Sequence, residues 1–87
     1  MRLGEVCGKV WATKKLSALE GCRFALLKLL DDDAKLSQEL LIAVDHIGSG
    51  VGDTVLVAQY GAARVALGEN LPIDAAIIGI VDSIEMN

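Results

Sequence analysis

The residues best suited to chemistry surround a glycine-rich segment in the middle of the chain. Asp45 and His46 precede it and Asp53 follows it. Two carboxylates and an imidazole could form an acid–base cluster, but no nucleophile or electrophile is recognisable between them. Aspartates at loop edges commonly accept hydrogen bonds from nearby amides, and a lone histidine is more often structural or exposed than catalytic. We therefore predict that both aspartates cap the loop, and we assign no catalytic residue.

The segment itself has glycine at every second position: Gly48, Gly50 and Gly52. A phosphate-binding loop leads into a helix whose first amides face the anion, and a Walker loop also needs Gly-Lys-Ser/Thr. Here Asp53 and a β-rich sequence follow instead, so the loop joins two strands and no cofactor site is predicted. Alternate glycines indicate backbone conformations closed to residues with a Cβ, or a close approach to another chain.

Two further groups could suggest a metal. Cys7 and Cys22 have neither a second cysteine pair nor a nearby histidine, which excludes zinc spacing and predicts reduced, buried thiols. The aspartates at residues 31–33 lack the alternate ligands and the closing glutamate of an EF-hand, so a solvated turn is expected. No metal site is predicted.

Strand-like segments must position these residues. Apolar side chains alternate, or occupy both faces, in four of them: residues 2–13, 22–30, 54–58 and 73–85. Residues 14–21 are predicted to form a loop. Residues 60–68 have small side chains and end in glycine, which indicates one or two helical turns, and residues 69–72 form a break.

Residues 31–44 allow two interpretations. Asp33 could cap a helix with an apolar stripe of Leu36, Leu40 and Val44, and local propensity slightly favours this. Alternatively, residues 31–33 form a hairpin tip and residues 39–46 a strand. With the hairpin, five strands and one short helix indicate a small closed or nearly closed barrel.

Composition adds a constraint from size. The chain has 87 residues, which we take as a single domain over residues 1–87, and 53% of them are hydrophobic. So small a core cannot easily enclose that much apolar material, so part of it should form an exposed partner surface. Only three residues are aromatic, which predicts an aliphatic core. Trp11 is expected to cover the barrel end or to contact another subunit.

The charge and the apolar runs exclude other classes. A net charge of −4 argues against a surface that neutralises phosphates. The longest apolar run, residues 75–81, is too short to cross a bilayer as a helix, so no membrane partner is predicted. The first residues lack a signal-peptide pattern, and we expect a cytoplasmic protein.

Five segments together resemble a known family. They read VCGKV at residues 6–10, AVD at 43–45, IGSGVGD at 47–53, YGAAR at 60–64 and PIDAAIIGIVD at 72–82. Their order and spacing are similar to those of bacterial microcompartment vertex proteins, the pentameric shell proteins of the ethanolamine-utilisation and carboxysome vertex type. The chain departs from the family where Ala62 and Ala63 replace the usual serines, and where Asp53 replaces a frequent glutamate.

The resemblance implies an all-β fold, a five-stranded OB-like barrel with one short helix, and it selects the hairpin over residues 31–44. It implies a homopentamer at the vertices of a polyhedral shell, alongside hexameric shell proteins, with a structural and not an enzymatic role. The implied subunit interface or five-fold axis involves Gly48, Ser49, Gly50, Val51, Gly52 and Arg64. The alternative, an OB-type module for single-stranded nucleic acid, is poorly served by three aromatics and a net charge of −4.

Overall fold

The computed structural model describes residues 1–68 and 71–86. Its strands are β1 (Arg2–Val10), β2 (Phe24–Leu30), β3 (Leu36–Asp45), β4 (Thr54–Gln59) and β5 (Ala75–Ile80). Among the described residues, one α-helix, α1 (Gly61–Leu67), joins β4 to β5, and a 3-10 turn (Ser17–Leu19) lies between β1 and β2. The predicted content of five strands and one short helix is confirmed.

The strands close into a barrel in the order β1-β2-β3-β5-β4, which confirms the predicted fold class. All neighbours are antiparallel except β3 and β5, which run parallel. That parallel contact is short, with Val44 opposite Ala76 and Asp45 opposite Ile77. Asp45, the last residue of β3, therefore lies at the seam where the barrel closes.

β2 and β3 form the hairpin. Leu26 pairs with Ile42 across it, and the Oδ1 atom of Asp31 accepts the amide hydrogens of Asp33 (2.9 Å) and Lys35 (3.0 Å) at the tip. The helix that local propensity favours here is wrong. Helix propensities differ by only tenths of a kcal/mol per residue, and β3 gains ladder hydrogen bonds and burial from two neighbouring strands.

Several predicted strand ends differ from the observed ones. β1 ends at Val10 and not at residue 13, because Val10 pairs with Phe24 on the last rung of the β1–β2 ladder. β5 ends at Ile80 and not at residue 85, because Ile80, which pairs with Val55, is the last residue of β5 that is paired with β4. β3 begins at Leu36, three residues before the predicted start. Ladder partners distant in sequence set these limits.

The inward side chains form the aliphatic core that the composition predicts. Leu27 of β2 and Val57 of β4 are both fully buried in it. The buried members of the cluster are Val6, Ala25, Leu27, Ala43, Val55, Val57, Ala75 and Ile77. The inner face of the barrel is thus closed to solvent by side chains from all five strands.

Helix α1 packs on the outside of β4 and β5. Ala63 of the helix is buried, and so are the paired Ala58 and Ala76, whose positions alternate with those of the core residues. Small side chains on both surfaces let the helix lie close to the sheet. The helix ends at Gly68, which adopts a left-handed conformation (φ +71°) as the sequence predicts; of the predicted break, residues 69 and 70 lie outside the described residues. No helix in the described ranges is long and apolar enough to cross a membrane.

The cysteines and the tryptophan differ from expectation. Cys7 and Cys22 are free, but Cys7 is exposed and Cys22 half-buried, so the prediction of buried thiols is wrong. A bulge in β1 between Val6 and Gly8 leaves Cys7 on the outer surface. Trp11 follows β1 and is 86% exposed, so it is not a buried cover of the barrel end.

Candidate functional site

Asp45 organises the glycine loop, which we define as residues 48–52. Only 2% of Asp45 is exposed. Its Oδ1 accepts hydrogen bonds from the amides of Ile47 (3.0 Å) and Gly48 (2.9 Å). Its Oδ2 accepts hydrogen bonds from the Ser49 amide (2.8 Å) and the Ser49 hydroxyl (2.7 Å). One side chain therefore fixes the conformation of the first half of the loop.

A lysine from β1 completes this arrangement. The Nζ atom of Lys9 donates to the Ser49 carbonyl oxygen at 2.6 Å and lies 3.4 Å from Asp45 Oδ2. Burial raises the pKa of Asp45, but the hydrogen bonds from Ser49, Gly48 and Ile47 outweigh it and lower the pKa from 3.8 to about 2. The carboxylate is therefore ionised at neutral pH, and both of its oxygens are used in hydrogen bonds that hold the loop.

The second half of the loop is fixed by Asp53 and by β1. Asp53 Oδ2 accepts the amide hydrogen of Gly50 at 2.8 Å. The Gly52 amide donates to the Val6 carbonyl (2.8 Å), and the Val6 amide donates to the Asp53 carbonyl (2.9 Å). Both aspartates cap the loop, as predicted.

The three glycines have different roles. Gly48 and Gly52 have φ values of +93° and +97°, a conformation that residues with a Cβ rarely adopt. Gly50 does not share it, and a Cβ there would lie 3.7 Å from Asp53 Oδ2. No atom lies within 4 Å of a Cβ added at Gly48 or Gly52, so within the subunit these positions need glycine for backbone conformation and not for space.

The geometry does not support the acid–base interpretation. The carboxylates of Asp45 and Asp53 accept hydrogen bonds from nearby amides. Asp45 also accepts hydrogen bonds from the side chains of Ser49 and Lys9. The His46 side chain is exposed and makes no hydrogen bond within the described residues. Across residues 1–68 and 71–86, no group of three His, Cys, Asp or Glu side chains could hold a metal ion.

Arg64, predicted together with the glycine loop as a subunit-interface or five-fold-axis residue, does not contact the loop within the subunit. It is on α1, where its Nη1 donates to the Ile73 carbonyl oxygen at 3.3 Å. The loop precedes β4 and the helix follows it, so the two are separated by a six-residue strand, roughly 20 Å. The structure brings the five loop residues together but places Arg64 at the other end of β4.

The expected exposed apolar surface includes Leu40, which the helix interpretation placed in a helical stripe, and Ile42, which no prediction singled out. Leu40 and Ile42 point outward from β3 and are 56% and 50% exposed. Ile42 pairs with the half-buried Leu26 of β2. We call Leu26, Leu40 and Ile42 the β2–β3 apolar face. In the sequence, residues 40–43 are apolar on both sides of the strand. A strand with one side in water needs apolar residues on the other side only, so this pattern indicates a second apolar face.

Comparison with known proteins places this barrel in a family. A family model described as "Ethanolamine utilisation protein EutN/carboxysome" matches residues 1–82. The carboxysome shell vertex protein CcmL of Thermosynechococcus vestitus is 36% identical over 85 residues, which cover 97% of this chain and 86% of that protein.

Solved structures agree over the whole chain. The structure of CcmL from Gloeobacter violaceus has a TM-score of 0.94 at 33% identity and covers 100% of this chain and 91% of that one. The pentameric microcompartment shell protein GrpN from Rhodospirillum rubrum has a TM-score of 0.89 at 34% identity, covering 99% of this chain and 100% of that one. Sequence and fold together show that the chain belongs to the EutN/CcmL family, as its five quoted segments predict.

Proposed function

We propose that this chain is a structural shell protein whose copies form a closed homopentamer at the vertices of a polyhedral bacterial microcompartment. The observation that carries the proposal is the nearly full-length match to shell vertex proteins, one of them described as pentameric. Five-fold units would supply the curvature that flat sheets of hexameric shell proteins lack. The protein would act in the cytoplasm, without catalysis and without a cofactor.

The distribution of apolar surface supports assembly. Helix α1 covers the outside of β4 and β5, whereas nothing in the described chain covers the β2–β3 apolar face. A cyclic ring buries two different patches of each subunit, one on either side. We assign the β2–β3 apolar face to one of these patches.

We assign the glycine loop to a contact between neighbouring subunits near the five-fold axis. Space around Gly48 and Gly52 is open, so another chain can approach the backbone there, and Val51 at the tip is 68% exposed. The loop would meet its neighbours as a fixed shape, because Asp45 accepts three hydrogen bonds from Gly48 and Ser49. Arg64, at the other end of β4, would belong to a separate part of the interface.

Native mass spectrometry tests the assembly. We expect a single species of five times the chain mass of 9.2 kDa at micromolar concentration. Ile42→Glu would place an unpaired carboxylate in the subunit contact and should shift the population towards monomer by tenfold or more. Gln38→Glu is the matched control, because it adds the same charge at an exposed position two rungs earlier on the same face of β3.

The two possible failures are distinguishable. A stable wild-type monomer would overturn the pentamer and with it the proposed role. A pentamer that survives Ile42→Glu unchanged would overturn only the assignment of the β2–β3 apolar face.

A further inference from the structure

A cavity of about 570 Å³ lies beside the glycine loop. Its walls come from the end of β1 and the residues after it, from the start of β2, and from Gly48 and Ser49 of the loop. Small-molecule sites are typically concave and enclose roughly 300–1,000 Å³. The cavity therefore has the size of a small-ligand site. The hydrogen bonds that cap the loop do not fill it.

The charge of the walls is unusual for this protein. Lys9, Lys15 and Arg23 line the cavity, three of only eight basic residues in a chain of net charge −4. The carboxylate in the wall, Asp45, is already occupied by loop amides. Lys15 lies 3.8 Å from Glu20, but the exposed Arg23 guanidinium has no ion pair or hydrogen bond within the described part of the chain. The wall therefore carries more cations than anions, and the Arg23 guanidinium has no partner among the described residues.

Aromatic and aliphatic side chains form another part of the walls. Trp11, 86% exposed, and the half-buried Phe24 both line the cavity, together with Val10. The chain has one Trp and one Phe, and both are here. Aromatic faces favour flat or apolar ligand bodies, and a guanidinium matches the two oxygens of a carboxylate or phosphate.

We propose that this cavity binds a small organic anion, whose carboxylate or phosphate group is held by Arg23 and whose flat or apolar body lies against Trp11 and Phe24. The proposed occupant is a free small molecule, because a compact volume with a localised cation suits one; occupation by a segment of a neighbouring subunit is the outcome that would overturn the proposal. The inference does not depend on the number of subunits in the ring.

The single tryptophan provides a direct assay. The indole N–H resonance of Trp11 is followed by NMR in the purified, assembled protein during titration with benzoate, benzyl alcohol or inorganic phosphate. Benzoate should give a saturable shift in the millimolar range. Benzyl alcohol lacks the charge and phosphate lacks the apolar body, so each should bind about tenfold more weakly or worse.

Two variants locate the anion contact. Arg23→Gln should weaken benzoate binding about tenfold, because it removes a charge-assisted contact, and it should leave the fold intact because the side chain is exposed. Lys14→Gln removes one positive charge from an exposed residue that does not line the cavity, and it should leave binding unchanged.

Three results would overturn the proposal: equal binding of benzoate and benzyl alcohol, equal loss in the two variants, or no response in the intact assembly. The last would mean that a neighbouring subunit fills the cavity. Native mass spectrometry of the same sample distinguishes this result from a failure of the proposed pentamer. If the protein is a monomer and still binds benzoate, the cavity proposal stands and the pentamer is refuted.

Discussion

Replacing Asp45 with asparagine tests the central element of the glycine loop. Asparagine has nearly the same shape but offers one acceptor oxygen in place of two. Its carbonyl oxygen can still accept the amides of Ile47 and Gly48, but its NH₂ group would face the Ser49 amide and the Lys9 ammonium, which are donors. The substitution therefore removes the negative charge and places the new NH₂ group against two hydrogen-bond donors.

The size of the effect follows from the pKa. The pKa of Asp45 is about 2 in the folded state, against its ordinary value of 3.8. At about 1.4 kcal/mol per pKa unit, ionised Asp45 contributes about 2 kcal/mol to the free energy of unfolding at pH 7. Because the pKa is lowered on folding, this contribution is present above about pH 4 and is lost as the pH falls towards 2. Domains have a total stability of only about 5–15 kcal/mol, so the loss is readily measured.

Urea unfolding followed by circular dichroism, at one fixed protein concentration, measures the effect. Asp45→Asn should unfold with a free energy about 2–3 kcal/mol below that of the wild type at pH 7, and the difference should shrink between pH 4 and pH 2. Asp32→Asn, at an exposed position in the β2–β3 turn, is the control and should change stability by less than about 0.5 kcal/mol. The reasoning fails if the two variants are equally stable, or if the difference does not depend on pH.

Two further predictions concern the same loop. Gly52→Ala should lower the free energy of unfolding by about 1–2 kcal/mol, because φ is +97° there, whereas Gly50→Ala should have a much smaller effect; equal losses in urea unfolding would contradict the conformational argument. In the proposed ring, Val51→Glu places five carboxylates near one axis and should dissociate the pentamer at low salt but less at high salt. Leu16→Glu, at an apolar residue of similar exposure (65% against 68%) between β1 and β2, should not. Native mass spectra at two ionic strengths measure this, and a Val51→Glu pentamer that is insensitive to salt would place the loop away from the axis.

Local patterns predict most of the strands and both capping aspartates, because these depend on neighbours in the sequence. Asp45 bonds to residues two to four positions ahead, a distance at which residue type is informative. Lys9, which completes the same arrangement, was missed because 36 residues separate it from Asp45. No local pattern links the two before the barrel is closed.

The β2–β3 hairpin is a second feature that local sequence patterns do not predict. Residues 33–44 include good helix formers, and only pairing with β2 and β5 makes β3 a strand. The family resemblance supplied that information, and the local pattern did not. It also grouped Arg64 with the glycine loop as residues of a subunit interface or the five-fold axis. Within one subunit β4 separates the two, a distance that a set of sequence motifs does not reveal, and their places in the ring stay a prediction.

The barrel explains why such a chain suits assembly. A closed sheet of this size has an inside that its own side chains fill and an outside too extensive for a single seven-residue helix to cover. α1 covers β4 and β5 but not β3, where the outward-facing Leu40 and Ile42 are half-exposed. Burying them against another copy removes apolar surface from water without enlarging the chain. Because Asp45 both ends the strand that carries these residues and fixes the glycine loop, a change in the loop would also alter the edge of the apolar face, and the two proposed contacts should weaken together.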